Sequence, residues 1–507
     1  MTSPQRSRAG AWTFRGGLTF TAAGAVQKGL PILLLPIYAK ALPAVEYGQI
    51  ALLVAATAVL GSILGFGLEA SVVRETVRLA SNRPARQRFL NSIGWFTLLV
   101  PFSTAVGVWA GVAVLGGPDF DNGVVLVALI SVAIQSTSTV FVGAALRAEE
   151  RLGAYLAVTL TNALATAVFT IGFLSAFKAG PAGWFGGAAS GGMISLAVGL
   201  ALLGHVWTRD VSWSIIKGAL LFGIPLLPHM LAHWVLNLSD RLIIGAYSGE
   251  EAVGAYSLAY QAAAPIMLVL VALHQTVMPL YPRAAEDEST RRRLTHVLTG
   301  HVYVGIWLAM ACAMVAPPVM LALFPADYVG AASFIPWIAI GYVLYGLYLI
   351  PTDSMTLMLG RTHWLWIATG IAAVINLGLN LAFVPAGGPN AAAVATAVGY
   401  AALLAGAVIM RQRMRGVQIS YQSRAMIIGA LWCSVLAGVG LFAFPDSRAP
   451  SDTLGRVILV AIAGTGLLWW YLRRHARSNE RWDPDAAAHQ PATLEAGDSM
   501  SGSMTHV

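Results

Sequence analysis

The chain is short of charge. Only 11% of its 507 residues are Asp, Glu, Lys or Arg, whereas soluble chains carry about 25%. That shortage excludes a soluble globular enzyme, a disordered protein and a nucleic-acid binder relying on many exposed basic residues. Cysteine is scarcer still. Cys312 and Cys433 both sit inside apolar runs, so they supply neither a disulfide framework nor a metal cluster. A G-x-x-x-x-G-K-[ST] run is missing, so nothing points to nucleotide hydrolysis. Long polar insertions are missing too: the longest breaks between apolar runs, about 70–89 and 281–297, are arginine-rich and too short for a soluble domain.

What the chain does have is apolar length. Hydrophobic residues make up 57%, and the mean hydropathy is +0.70. This composition predicts an all-α integral membrane protein. Fourteen stretches of about 20 residues stand out, near 16–39, 47–69, 90–115, 123–146, 153–176, 183–205, 219–247, 252–280, 298–324, 328–352, 363–385, 390–410, 425–444 and 455–472. Thr21-Ala22-Ala23-Gly24-Ala25 imitates a signal-cleavage site. However, the apolar run before it is short and resumes past Lys28, so an uncleaved first span is expected.

The net charge of +8 takes its meaning from position. With a cytoplasmic N-terminus, 25 of the 31 Lys and Arg fall in inner segments. Lys40, Lys178, Arg448 and Arg456 fall outside, and only Lys28 and Arg241 lie within spans. This asymmetry predicts a multi-pass protein of the cytoplasmic membrane with both termini inside, and no role in binding nucleic acid.

A weak internal repeat runs through the sequence. Glu46-Tyr47-Gly48-Gln49-Ile50 opens the second span, and Ala252-Val253-Gly254-Ala255-Tyr256 opens the eighth, 206 residues on. Arg147 and Asn162 around the fifth span match Arg361 and Asn376 around the eleventh, at an offset of 214. An even number of spans separates each pair, so the halves share a topology, a pattern of transporters with a site between repeats. The expected organisation is a cytoplasmic N-terminus (1–15), a six-helix bundle (16–205), a cytoplasmic linker (206–218) and a second six-helix bundle (219–410). Two extra helices (411–473) and a disordered cytoplasmic tail (474–507) follow. The two bundles are expected to be related by a pseudo-twofold axis along the membrane normal.

Ionisable groups inside spans cost about 2.5–3.5 kcal/mol on insertion scales, so each requires a partner or a wet cavity. Lys28 reads either as a cation in a central cavity or as an ion-pair partner of Glu69 or Asp240. In the seventh span, His229, His233, Asn237 and Asp240 fall at about 0°, 40°, 80° and 20° on a helical wheel, with Arg241 at about 120°. This stripe should line the cavity or the interface between halves; alternatively, Asp240 and Arg241 pack the end of the helix. Pro225 and Pro228 should bend the span as a gate would require. In the eighth span, Tyr256, Tyr260 and His274 share a second stripe. Tyr256 reads as aromatic-belt material. Arg74 and Arg283 close spans two and eight on the inner side, where they can recruit an acidic headgroup or simply anchor.

Several sharper motifs fail. In His229-x-x-x-His233, Met230 replaces the glutamate of a zincin and no third ligand follows. Asp119-Phe120-Asp121 resembles a sugar-nucleotide metal motif but falls in an outer loop. Glu286-Asp287-Glu288 reads as solvated loop charge. Neither a metal nor a cofactor is expected.

Lys28-Gly29-Leu30 through Leu34-Leu35-Pro36-Ile37-Tyr38, followed by Glu46-Tyr47-Gly48, resembles the opening of the polysaccharide-unit flippases (Wzx-type). These belong to the multidrug/oligosaccharidyl-lipid/polysaccharide (MOP) exporter superfamily. Ser239-Asp240-Arg241-Leu242-Ile243-Ile244-Gly245 with Val253-Gly254-Ala255-Tyr256-Ser257 resembles the start of that family's second half. The likeness runs over about 15–410. It implies a V-shaped alternating-access carrier rather than an enzyme, with a lipid-linked oligosaccharide substrate, typically on undecaprenyl diphosphate, held in a cationic cavity. Lys28 and Arg241 match the family's basic positions. Membrane lipids and the pathway's polymerase and glycosyltransferases are the implied partners. The alternatives are a multidrug or cation antiporter of the same superfamily, a lipid-linked peptidoglycan precursor flippase, and a membrane-embedded glycan polymerase. The polymerase would need outer loops longer than these.

Overall fold

The computed structural model describes residue 24 and residues 26–480, apart from 116–119, 205–206, 209, 362–364, 417–418 and 420–421, and gives only the backbone of 475–480. The described chain is helical, with no strand among the described residues. An apolar chain has little choice: in hydrocarbon each backbone N–H and C=O must be satisfied within its own segment, as an α-helix does.

Eleven helices of the described chain are long and apolar enough to cross a membrane. Two of them cover more than one stretch of the sequence reading. Trp213–Val277 covers the seventh and eighth, and Leu365–Arg413 covers the eleventh and twelfth. Each is interrupted by a glycine with positive φ, Gly249 at 82° and Gly388 at 57°. A side chain at such φ would clash with the backbone, so glycine is what lets the chain leave one helix and enter the next. The first stretch, 16–39, falls partly outside the described residues. Its described part is helical over 26–33 and, after a turn at Leu34, over Leu35–Ala41.

The second long helix pair begins earlier than the sequence suggests. The Trp213–Gly223 helix starts within the segment read as linker, and a 3-10 turn, Ile224–Leu226, separates it from Leu227–Val277. Pro225 sits in that turn, and Pro228 sits in the first turn of the next helix. A first turn tolerates proline because its N–H groups have no intrahelical acceptor. The prolines therefore break the span ahead of the polar stripe and leave the stripe itself on regular helix.

Two short acidic motifs cap helices. Asp121 accepts from the backbone N–H of Gly123 and Val124, opening Asn122–Thr137, while Asp119 lies outside the described residues. Asp287 accepts from Ser289 and Thr290 and opens Glu288–Leu323. The Glu286-Asp287-Glu288 run is exposed, as expected of solvated charge, and its middle member has a structural task besides.

Close packing relies on small residues, as it must where lipid tails compete equally for apolar surface. Gly187 and Gly191 lie against Thr170 and Thr166 of the neighbouring Leu152–Ser175 helix. The largest core joins the two halves of the chain: Tyr38, Leu42, Tyr47 and Ile50 pack with Ile244, Val253, Tyr256 and Tyr328. The described residues up to Ala463 form one compact unit, and those from Gly464 to 480 belong to a second. In the second unit, the Arg473 and Arg474 guanidinium groups stack 4.5 and 5.1 Å from the ring centroids of Trp469 and Trp470. The tail expected to be disordered lies, from 481 on, outside the described residues.

Candidate functional site

Lys28 faces a cavity of about 360 Å³. One wall is its own segment (Gly24, Pro31 and Ile32), and the other is the later part of Leu227–Val277, including Gln261, Met267, Leu268 and Gln275, with Tyr342. The cavity thus lies between the first helix and the second half of the chain. Lys28 is exposed and makes no ion pair with any described residue. The two carboxylates considered as its partners are engaged elsewhere: Glu69 with the Arg147 guanidinium, and Asp240 with Arg241 at 2.7 Å. An ion-pair role for Lys28 with either of them is therefore overturned. Its ammonium is left available to a ligand in this mostly apolar cavity.

The stripe of the seventh span divides in two. At one end His229 is half-buried, His233 is exposed, and the His233 ring lies 5.9 Å from that of Tyr345. Asn237 donates to the His233 carbonyl at 2.7 Å and accepts from Tyr400 at 2.7 Å. At the other end Asp240 and Arg241 are 1% and 6% exposed, too little for either to meet a bulky ligand in this arrangement. Asp240 accepts from Arg241, from the Tyr256 hydroxyl at 2.6 Å and from Thr396 at 3.4 Å. Arg241 also donates to the Asn237 carbonyl and stacks 4.1 Å over the Tyr260 ring and 5.6 Å over that of Tyr256. This buried pair meets the requirement that charges away from water be paired and hydrogen-bonded. Of the two readings of Asp240 and Arg241, the structure displays the packed one.

Tyr256 corrects the sequence reading. It is fully buried and donates to Asp240, so it is not belt material. A tyrosine near a helix end has the same signature in either role, and only the partner across the fold separates them. Tyr260 is buried beneath Arg241. His274 is apart from this group, with Nε2 3.2 Å from the Asp353 carboxylate.

The two inner arginines differ. Arg74 is largely exposed, 4.0 Å from Glu75, with its guanidinium 4.6 Å from the Phe222 ring centroid. Arg283 is exposed on the short helix Leu280–Glu286. The structure therefore brings His229, His233 and Asn237 together with Tyr345 and Tyr400, and brings Asp240, Arg241 and Tyr260 together with Tyr256 and Thr396. Lys28 and His274 stand in separate places. Among the described residues no group of three His, Cys, Asp or Glu side chains is placed to hold a metal.

The far end of the interface between halves is tightly packed. Gln49 donates to Glu250 at 2.9 Å, and the Tyr328 hydroxyl donates to the Leu42 carbonyl at 2.8 Å. Gly48 and Gly254 let the two helices touch backbone to backbone. Farther along, the Trp234 indole donates across the halves to the Ala55 carbonyl at 2.9 Å.

Comparison with known proteins finds the same fold elsewhere. The fold is similar to that of a lipid II flippase, MurJ, in an inward closed conformation (TM-score 0.70, 13% identity, 88% of this chain and 98% of that one). It is similar to an inward-facing multidrug resistance MATE family transporter of the MOP superfamily (TM-score 0.57, 15% identity, 76% and 94%). It is also similar to the Vibrio cholerae MATE transporter VcmN in the bent form (TM-score 0.53, 15% identity, 80% and 97%). The fold is thus one shared with MurJ and MATE transporters. In sequence, the MatE family matches residues 225–382, and the family described as polysaccharide biosynthesis protein matches residues 14–285. That second match covers more than half of the chain, which belongs to the polysaccharide biosynthesis protein family. No curated protein matches the sequence significantly.

Proposed function

We propose that the chain is a flippase moving glycan units linked to a lipid diphosphate, typically undecaprenyl diphosphate, from the cytoplasmic to the outer leaflet of the bacterial inner membrane. The observation that carries this reading is Lys28: an exposed cation, with no ion pair among the described residues, in a cavity between two parts of a polysaccharide biosynthesis protein family member. A diphosphate with several sugars cannot cross hydrocarbon unaided, so the carrier must provide a polar, cationic path. In this scheme both termini are cytoplasmic, and the two six-helix halves rock about the cavity. Arg74 and Arg283 recruit the headgroup at the cytoplasmic mouth, and Lys28 holds it near mid-bilayer. His229, His233, Asn237, Tyr260 and His274 are the further proposed contacts. Arg241 receives the headgroup near the outer end once rocking uncovers it, with Asp240, Pro225 and Pro228 in coupling or gating. Membrane lipids flank the path, and the polymerase and glycosyltransferases of the pathway supply and consume the units. Moving about two negative charges outward across an inside-negative potential of 100 mV is favoured by about 4.6 kcal/mol, so nucleotide hydrolysis is not needed.

The test uses a deletion strain and a membrane-impermeant glycan-modifying probe. The expected result is inner-leaflet, probe-inaccessible lipid-linked glycan, cured by the wild-type gene and by Lys28→Arg but not by Lys28→Ala. Normal outer-leaflet display in the deletion strain would overturn the flippase reading and favour the antiporter. Full rescue by Lys28→Ala at normal expression would overturn the role of Lys28.

A further inference from the structure

A second buried polar cluster lies away from the Asp240–Arg241 pair, at the Val277 end of the Leu227–Val277 helix. Asp353 ends the Ile335–Asp353 helix, where the chain enters a π-helical turn, Ser354–Met358. Such turns interrupt the regular ladder and recur at functional positions. Oδ2 of Asp353 lies 3.2 Å from Nε2 of His274, with side chains only 8% and 12% exposed. His301, from a third helix, is 4% exposed, and neither of its ring nitrogens has a hydrogen-bond partner among the described residues. Leu298 and Val302, on either side of it, pack with Val277 and Ile350 of the helices that carry His274 and Asp353.

A buried imidazole with both nitrogens unsatisfied is unfavourable and calls for a reason. Metal ligation is not that reason, because the three side chains do not converge on a common position. The other groups facing the cluster are few. Arg411 is buried, and its Nε donates to the Ser354 hydroxyl at 2.6 Å, next to Asp353. The Tyr281 hydroxyl reaches the Ile350 carbonyl at 3.4 Å. His296, on the His301 helix, is engaged with Gln422 at 3.2 Å. Arg424, which opens the Ser423–Ala443 helix, is exposed. A carboxylate and two imidazoles in one buried place can exchange a proton.

We infer that His274, Asp353 and His301 form a proton-binding site that couples the carrier's conformation to protonation. A proton from water at this end leaves hydronium and bonds to the lone pair of His274 Nε2. The resulting imidazolium lies 3.2 Å from Asp353 Oδ2, an oxygen with no hydrogen-bond partner among the described residues, and a turn of the ring toward it makes a charge-assisted bond that draws the two helices together. Val271, Ala272 and Gln275, which flank His274 on its helix, line the Lys28 cavity. Any shift of His274 toward Asp353 therefore moves a cavity wall. This deepens the transport reading by naming a coupling ion, and its test needs no cargo, so failure of one reading leaves the other standing.

The full-length protein, labelled with carboxyl-13C aspartate and held in lipid nanodiscs, is titrated by infrared difference spectroscopy from mildly alkaline to mildly acidic pH. In parallel, electron–electron resonance follows spin labels at the exposed residues Ser81 and Glu286, with Cys312 and Cys433 replaced by alanine. The expected result is a pH-dependent Asp353 carboxylate signal, absent in Asp353→Asn and displaced in His274→Gln. The label-to-label distribution should shift with pH in wild type and become pH-independent in Asp353→Asn. Because Asp353→Asn can fail to fold, His274→Gln and His301→Gln are measured as well, each checked for monodispersity. A carboxylate spectrum unchanged by pH in wild type would overturn the inference. So would a pH-driven distance shift that survives in every well-folded variant.

Discussion

Gly48 and Gly254 cross in direct backbone contact. A Cβ at Gly48 would lie 1.8 Å from the Glu250 carbonyl oxygen and 3.1 Å from the Gly254 nitrogen. A Cβ at Gly254 would lie 1.9 Å from the Ala44 carbonyl oxygen and 3.1 Å from the Gly48 nitrogen. The approach is reciprocal, and the two glycines hold equivalent positions in the internal repeat. Backbone cannot step aside as a flexible side chain can, so an added methyl at either position must part the helices.

The contact predicts a conformational effect of small substitutions. Overpacking costs typically about 1–3 kcal/mol, and a shift of that size changes a two-state equilibrium constant by about 5-fold to over 100-fold. Gly48→Ala and Gly254→Ala should each reduce crosslinking between cysteines placed at Gln49 and Glu250, in a background without Cys312 and Cys433. Gly438→Ala, at a glycine with open space around it, serves as the control and should leave the yield unchanged. Undiminished crosslinking in Gly48→Ala would show that the contact does not hold this end together.

The Asp240–Arg241 pair predicts a particular order of stabilities. Asp240→Ala leaves a buried guanidinium without its carboxylate, a loss of about 3–5 kcal/mol when one partner of a buried pair is removed. Tyr256→Phe removes one hydrogen bond to a charged group, about 1.5–3 kcal/mol. Replacing both charges, as Asp240→Leu with Arg241→Met, should cost less than Asp240→Ala alone. Heating detergent-purified protein and measuring the monodisperse fraction gives the order. A double variant as unstable as the sum of its single variants would mean that the two residues do not act as a pair.

The fold was legible because the bilayer demands long apolar helices with few alternatives, and those runs are visible residue by residue. The site was legible only as far as a helical face. His229, His233, Asn237 and Asp240 share a stripe by spacing alone, but spacing gives neither depth nor partner. Tyr256 therefore read as an interfacial aromatic, although it reaches Asp240 across a helix reversal at Gly249. Lys28 kept an ambiguous role because its solitude depends on Glu69 meeting Arg147, 78 residues away. His301 gave no periodic signal at all, and its proximity to His274 and Asp353 exists only once three helices pack. Gly48 and Gly254 are the converse case. The sequence marked them as equivalent, and the fold supplied the reason for glycine.

The last prediction concerns acid and the start of the Glu288–Leu323 helix. The Asp287 carboxylate accepts from the Thr290 hydroxyl, the Ser289 hydroxyl and both backbone N–H groups. These bonds, that of the Thr290 hydroxyl foremost, hold its carboxyl well below the usual carboxylate range. The folded value is depressed, so the stabilisation is complete above the unfolded-chain pKa of about 3.9 and is lost only as pH falls through the lower folded value. From neutral to mildly acidic pH, the exchange protection of the Ser289 and Thr290 amides, corrected for intrinsic rates, should therefore stay flat in wild type. Asp287→Ala should lower that protection several-fold at every pH in the same window, because the N–H groups of the first turn lose their acceptor. Protection in wild type that already declines between neutral and mildly acidic pH would place the titration in the ordinary carboxylate range or above it, contrary to the cap geometry.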